Sequence, residues 1–578
     1  MKRRSVLAAG AGAALVAGCE PAGRSGVAGW RGEGGFVGAS VERGHRLRDA
    51  VAASAAVGAS APDTVRRVDV VVVGAGIGGL GAARALAAAG IDDVAVLELE
   101  DEPGGNSRGH AIAGIRCPLG AHYLPTPGDR AFEVIELLES LGLRTTGADG
   151  RPAYDERVLC HAPQERLFVD GAWRDGLLPP IDALPAAERA RTLAQYRAFA
   201  AAVREASTPG AFAVPTARAA WTDVHRTLDA TTFAAWLDTR GLDAPALRWY
   251  LDYCCRDDYG ASSRQVSAWA GLHYFASRHG FDAPGDGPGL RERHDDAGAA
   301  DGVLVWPEGN AWLAGRLAAP LGLRLLGGRI VHRVEESKDG VTVDATVAAD
   351  GTRERWLARR TILATPLHVA RRIVAAPPPA LVAAAERIVH APWIVANLHV
   401  ERPLLDRDGA GPAWDSVVYG GDGLGYVDAS HQGFRPHPGP TVLTLYRALG
   451  GDSLEALRAA RRTLLETPWH AAAAAAVAEL SAVHPDLVAK TARIDIARWG
   501  HAMAVPAPGV RGDAALAALA ADDPSATGRL HLAHADLSGH SVFEEALFQG
   551  TRAGRAAVAA VRRTVQSGIR SSTRRPPR

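Results

Sequence analysis

The stretch "VDVVVVGAGIGGLGAARALAAAG" occupies residues 68–90. Its opening "VDVVVV" is a nearly continuous apolar run, as expected of a strand buried on both faces of a parallel sheet. The run breaks into glycines, and "LGAARALAAAG" then reads as a helix stopped by Gly90 just beyond its last turn. "VAVLELE", residues 94–100, supplies the next strand, so the segment opens as a β-α-β unit. Gly74, Gly76 and Gly79 fall at the strand-to-helix turn, where backbone amides and the positive end of the helix can hold a pyrophosphate. Glu98 closes the second strand, where a carboxylate can accept hydrogen bonds from ribose hydroxyls. The predicted dinucleotide contacts here are Gly74, Ala75, Gly76, Gly78, Gly79 and Glu98.

The remaining composition narrows the reading. The chain has 578 residues, enough for more than one domain. Lys plus Arg and Asp plus Glu balance at 64 each, so no global field points to nucleic acid. The five cysteines show no spacing of a disulfide framework or a zinc site, and no metal is expected. "KRRSVLAAGAGAALVAGC", residues 2–19, reads as a signal peptide: Arg3 and Arg4, a short apolar centre and small residues before Cys19. The arginine pair resembles a twin-arginine signal, and "VAGC" resembles a lipobox that would make Cys19 the lipidated residue. The expectation is an exported bacterial protein on the periplasmic or cell-surface side, touching the membrane through its lipid anchor only. Residues 20–65 are read as a flexible tether and 566–578 as a disordered basic tail.

Further pieces carry a resemblance. "EDEPGGNSRGH" (100–110) follows the second strand, and "PLGAHYLP" spans 118–125. A hairpin, "GRIVHRVEESKDGVTV" (328–343), precedes "RRTILATPLHVARRI" (359–373), and "LHLAHADLSGHSVFEEALFQGTRAG" covers 530–554. Together these resemble the flavin amine oxidase, phytoene desaturase and protoporphyrinogen oxidase superfamily over residues 66–565. The resemblance implies FAD as cofactor, with contacts from Gly105, Asn106, Gly120, Ala121, His122, Val331, Asp536 and Val542. It also implies an α/β fold in which a discontinuous Rossmann-like FAD-binding domain (66–125, 301–375 and 525–565) alternates with an α+β substrate domain (126–300 and 376–524). The substrate domain should be an antiparallel sheet roofed by helices. Three departures stand out: Asn106 replaces the arginine of many relatives, Ala535 replaces a usual glycine, and the lysine many amine oxidases hold near the flavin has no counterpart. The only lysines are Lys2, Lys338 and Lys490.

Candidates for chemistry are Trp499 and His501 in "RWGHAM", with His540; "VWPEGNAWLAGRLA" around Glu308 and Asn310 resembles the segment opposite them. Tyr259, Trp269, Trp414 and Tyr419 are expected to line the substrate side. Cys254 and Cys255 read as buried thiols, and His531 and His534 point to opposite faces of a strand. The expected function is hydride removal from a C–N or C–C bond of a small organic substrate, with electrons passed to oxygen or a membrane quinone. A redox-neutral flavin isomerase and a non-catalytic, chaperone-like binding protein are the alternatives; the intact glycines and Glu98 argue against the latter. A tightly held flavin also fits export, because the twin-arginine route carries folded proteins already loaded.

Overall fold

The computed structural model describes residue 30 and residues 32–56, 61–160, 164–208, 210–284, 302–431, 437–521 and 528–572. The signal, Cys19 and the first part of the expected tether lie outside the described residues.

Two sheets organise the described residues. The first is built around strand β2 (Thr64–Val73), followed by helix α2 (Ile77–Ala88) and strand β3 (Val94–Leu97). Val70–Val73 are almost wholly buried, as the apolar run requires. The strand order runs from Leu325–Leu326 through β3 and β2 to Arg353–Leu363. The last strand is shared: Thr361–Leu363 pair in parallel with Leu530–Leu532, while its first half pairs antiparallel with the hairpin strand Val341–Val347. Counting only parallel strands in chain order, this is the 3-2-1-4-5 order of a nucleotide-binding fold. The segments 66–125, 301–375 and 525–565 are discontinuous in sequence because each contributes strands to this one sheet.

Helix Phe543–Ser572 packs across α2 at glycines. A Cβ on Gly550 would sit 2.0 Å from the Gly78 carbonyl oxygen, and one on Gly78 would sit 2.1 Å from that of Ala533. The third segment can approach α2 this closely only where side chains are missing.

The second sheet has eight strands among the described residues, and its interior is antiparallel: Thr491–Ala504, His390–Val400, Thr441–Ala448, Gly425–Asp428 and Asp415–Val418. Parallel pairs occur nearer its edges, one of them between Asp415–Val418 and Glu165–Val169. Helices Ala186–Ala206, Pro245–Tyr259 and Ala268–Tyr274 close over it around Tyr196, Phe199, Phe233 and Trp269.

Two expectations for the chain ends are corrected. Within the expected tether, Glu33–Val37 form strand β1, parallel to Thr491–Ala504, and Val41–Ala56 form helix α1, packed on the strand Arg329–Glu336. Backbone pairing and a docked helix order this segment despite its Gly- and Arg-rich composition. At the other end the last helix continues to Ser572, beyond the expected start of a disordered tail. No described helix is long and apolar enough to cross a membrane.

Candidate functional site

At the β2–α2 turn the glycines divide the work. Gly74 has φ +98°, a left-handed value that favours glycine, and a Cβ there would meet the Ala364 carbonyl at 2.8 Å. A Cβ on Gly79 would lie 1.9 Å from the Gly74 oxygen, so Gly79 lets the helix close on its own turn. A Cβ on Gly76 would find nothing nearer than the Gly105 Cα at 3.8 Å, and it would project into open cleft. This is the cradle a pyrophosphate needs, beside the N-terminus of a twelve-residue helix.

Glu98 is only 8 % exposed and lines the same cleft. Its Oε2 accepts the Ala75 N–H at 2.6 Å and its Oε1 accepts the Glu100 N–H at 3.0 Å. Burial raises its pKa, partly opposed by those backbone bonds. Two buried polar atoms at the cleft, Thr365 Oγ1 and His368 Nδ1, have no protein partner. Orphaned polar atoms, a glycine cradle and a ribose-binding carboxylate fit a dinucleotide. The cleft has a cavity volume of about 410 Å³, within the roughly 300–1,000 Å³ of small-ligand pockets. Val331, Val542, Gly105 and Asn106 line it as well, whereas Ala75 and Gly79 act behind it through backbone contacts.

The cleft runs into an inner cavity bordered by both domains. Asn106, Ala121, Trp499, Ala502, Ser541, Val542 and Phe543 line both spaces and mark their junction. Asn106 Nδ2 donates to the Ala502 carbonyl at 2.6 Å, tying the Gly-Gly loop to the strand of the second sheet. Trp499 Nε1 donates to the Leu119 carbonyl at 2.6 Å, and the Arg108 guanidinium lies 5.2 Å from its ring. Gly120 and His122 line the inner cavity, next to Ala121 at its junction with the cleft. His122 stacks on Tyr446 at 4.3 Å and lies 5.5 Å from the Trp414 ring. Burial pushes His122 down to about 3, so it is a neutral ring in an aromatic wall.

His501 lines the cleft and stacks on His368 at 4.4 Å. Burial first, and then His368 and nearby arginines, push it down to about 2. Behind this pair, Asp536 is fully buried and does not border the cleft. It accepts from His390 Nε2 at 2.9 Å and the Leu367 N–H at 2.9 Å, and lies 3.2 Å from His534 Nδ1, which itself accepts the Asp536 backbone N–H at 3.1 Å. Burial would raise its pKa, but the two imidazoles hold it well below the usual range. Asp536 thus positions residues that line the cleft, and the His368–His390–His501–His534 cluster could not be seen as one group in the sequence.

Three expected site residues lie in the core. Tyr259 is fully buried with its hydroxyl on the Ala270 carbonyl at 2.9 Å. Trp269 stacks on His273 at 4.8 Å, and His540 sits edge-on between Tyr259 and Trp269 with Nδ1 on the Ser538 carbonyl. Helices over the second sheet turn these rings away from both cavities. Tyr419 is part-exposed and packs on Trp249 at 4.8 Å. Trp414 does line a chamber beyond the inner cavity. Cys254 and Cys255 are buried, and burial raises both thiols well above their ordinary value. Lys490 is held at Pro403 O and Asp486, and neither it nor Lys338 borders the cleft or the inner cavity.

A long dinucleotide cleft ending on an aromatic cavity between two domains defines a flavin-dependent oxidoreductase architecture, with FAD as the cofactor that fits it. Residues 77–558 match the model of the flavin containing amine oxidoreductases, and the chain belongs to that family. Among curated relatives, a putative flavin-containing monoamine oxidase of Mycobacterium tuberculosis is 28 % identical over 280 residues, 48 % of this chain and 53 % of that protein. Polyamine oxidase 7 of Oryza sativa subsp. japonica is 38 % identical over 110 residues, 18 % and 23 % of the two chains. The tryptophan 2-monooxygenase of Agrobacterium tumefaciens is 32 % identical over 122 residues, 21 % of this chain and 15 % of that one. These matches span from about a seventh to about half of the curated relatives' lengths. Among solved structures, a putrescine oxidase variant shares the fold with TM-score 0.59 at 19 % identity, covering 86 % of this chain and 99 % of that one. The cyclohexylamine oxidase of Brevibacterium oxydans does so with TM-score 0.54 at 21 % identity, covering 86 % and 99 %.

Proposed function

We propose that this chain is an FAD-dependent oxidoreductase that removes a hydride from the carbon beside an amine nitrogen. The observation that carries the reading is the inner cavity: it opens on the cofactor cleft at Asn106, Ala121 and Trp499 and is walled by His122, Trp393 and Tyr446. When bound, the flavin supplies a two-electron acceptor. The protein's part is to hold the substrate carbon against it and keep water out. Aromatic walls and the neutral His122 favour the uncharged amine, whose nitrogen lone pair stabilises the cation left when hydride departs. That iminium then takes water to give a carbonyl compound and an amine or ammonium. Anaerobic mixing with primary and secondary amines, alkenes and prenyl lipids tests this. Flavin bleaching by amines supports the reading; bleaching only by lipids returns it to C–C desaturation, and no bleaching with product rearrangement makes it an isomerase.

The acceptor is proposed to be a membrane quinone or its carrier, with oxygen reacting slowly. A positive charge close to reduced flavin speeds reaction with oxygen by stabilising developing superoxide. No lysine borders the two cavities; of the arginines there, Arg278 is paired with Glu544 and Asp258 and Arg108 lies over the Trp499 ring, and burial lowers His122 to about 3. Fast reoxidation by air with stoichiometric peroxide would refute this. Export through Arg3 and Arg4 and anchoring at Cys19 are proposed from the sequence alone. Arg3→Lys with Arg4→Lys should retain loaded protein in the cytoplasm, and Cys19→Ala should release it from membranes; unchanged fractionation refutes each.

A further inference from the structure

His368, His390, His501 and His534 all border the cofactor cleft. Two of them are tied to Asp536: His390 donates its Nε2–H to the carboxylate, and His534 Nδ1 accepts the backbone N–H. His368 differs, because its Nδ1 is buried and has no hydrogen-bond partner among the described residues. The ring stands on helix Leu367–Ile373, three residues beyond Thr365, whose methyl would meet a Cβ on Gly74 at 3.6 Å. His368 therefore belongs to the wall beside the glycine cradle, and it borders the cleft but not the inner cavity.

The arginines that line the cleft are engaged. Arg108 donates Nε–H to the Gly105 carbonyl at 3.2 Å and lies over Trp499. Arg329 donates to the Gly327 carbonyl at 2.7 Å and pairs with Glu354 at 3.4 Å, and Arg498 stacks 3.6 Å from the Phe36 ring. Asn106, where many relatives carry arginine, is turned to Ala502. Two carboxylates, Glu98 and Glu100, line the same space. A dinucleotide brings a doubly negative diphosphate into it.

Charged and titratable groups face His368 from each element packed on it. His501 of strand Thr491–Ala504 stacks on the ring at 4.4 Å, and His390 of strand His390–Val400 meets it edge-on at 5.2 Å. Asp536 and His534 stand behind it and Arg372 lies on its own helix. Arg371 is paired with Glu386 at 2.9 Å, and Arg461 reaches in to the His390 carbonyl. With the cleft empty, desolvation and then His390 push His368 down to about 3, against the pull of Asp536. A second ring proton would then leave a buried Nδ1–H without an acceptor. A phosphate oxygen supplies the acceptor and the opposite charge together. At an effective dielectric of about 20, a unit charge about 6 Å away raises a proton's affinity roughly a hundredfold. A diphosphate is thus enough to keep the ring protonated at about pH 6.

We propose that His368 is the switchable cation of the cofactor site: it takes a proton from solvent as the FAD diphosphate binds and donates Nδ1–H to a phosphate oxygen. By reciprocity the proton raises the affinity for FAD by the factor by which FAD raises that for the proton. Retention is therefore strongest in acid and is lost as pH rises through the loaded ring's value. Glu98 acts in the opposite direction, because its ionised carboxylate is the ribose acceptor. The same ring weakens the empty protein in acid and strengthens the loaded one, whichever substrate reduces the flavin.

The test dilutes FAD-loaded full-length protein into buffers from about pH 5.5 to 8 and follows release by flavin fluorescence. Release from the parent should be about tenfold or more faster at pH 8 than at pH 5.5, since affinity differences fall mostly on the off-rate. His368→Asn keeps a polar side chain that cannot titrate, and its release should change less than about twofold over the same range. A readout on the parent alone stands beside it: the phosphorus resonances of the bound diphosphate should shift with pH at the midpoint seen in release. In protein labelled with heavy nitrogen at histidine, one ring protonated on both nitrogens at about pH 6 should be missing from the His368→Asn spectrum. Release independent of pH in the parent, phosphorus resonances that do not move, or a pH dependence that survives in the variant overturns the proposal. Release that speeds up in acid gives the dependence to Glu98 and overturns it as well.

Discussion

Substitution of Gly76 and Gly78 by alanine, two residues apart, should separate cofactor binding from folding. Gly76 has φ −69°, accessible to any residue, and its added methyl would meet nothing closer than 3.8 Å. Alanine there gains roughly 0.4–1 kcal/mol by restricting the unfolded chain and loses a comparable amount as a poorer N-cap. The apoprotein's stability should therefore stay within about 1 kcal/mol of the parent. The methyl instead projects into the open cleft, where it takes space a pyrophosphate needs to come close to the backbone amides. FAD affinity should fall by at least about 100-fold, near 2.7 kcal/mol. Gly78→Ala inverts the outcome. Its methyl would lie 2.1 Å from the Ala533 carbonyl oxygen, about 1 Å inside contact, and 3.5 Å from that of Ala546. Relief requires α2 to separate from the third FAD segment, an overpacking cost of about 1–3 kcal/mol or more. The assays are thermal melting of the deflavinated proteins and fluorescence titration with FAD. Gly76→Ala binding FAD like the parent, or destabilising the apoprotein as much as Gly78→Ala does, would refute the division of roles.

The N-terminal segment should act as a strap on the cofactor. Ala39 and Leu47 line the cleft, the Ser40 N–H donates to Glu100 at 2.8 Å, and Arg43 reaches both Asp101 oxygens at 2.8 Å. Replacing Leu47 by Ala removes cover worth about 1–2 kcal/mol and should raise the FAD dissociation constant roughly five- to thirty-fold, measured by ultrafiltration; unchanged retention refutes the strap. A half-buried histidine should make the stability of the deflavinated protein acid-sensitive. Desolvation lowers His368 to about 3, so the unfolded chain takes up a proton below about pH 6.5 while this folded ring stays neutral. Stability is full above that pH and falls by less than about 1.4 kcal/mol per unit as pH drops, because the ring is partly exposed to the cleft. Glu165 and Asp257 oppose this between about pH 4.5 and 7 because their folded values are raised, so the comparison is with a His368→Asn variant. Its melting midpoint should depend less on pH from 6.5 to 5; an equal dependence refutes the assignment.

Sequence alone determined the nucleotide-binding half of this protein. The apolar strand, the glycine turn, Glu98 and the Gly-Gly loop are governed by contacts within about forty residues, so their chemistry shows as local spacing. Asn106 was recognisable as a departure, but its bond to Ala502, nearly four hundred residues away, was not. Tertiary structure decided the other half. Tyr259, Trp269 and His540 looked like site residues because rings and imidazoles near a cofactor segment often are; packing under the helices turned them into core. Glu165, Asp257 and Asp415, which line the chamber with Trp414, stand on two strands and a helix with no shared motif, and only the parallel pairing of Asp415–Val418 with Glu165–Val169 puts the first and last side by side. Composition also misread residues 33–56, since glycine and arginine content describes a chain's freedom when alone. It says nothing of the edge strand or helix surface waiting to bind it. A periodic or Gly-rich signature records what a segment does with its neighbours in sequence, whereas a cavity wall is set by which distant surfaces the two sheets bring face to face.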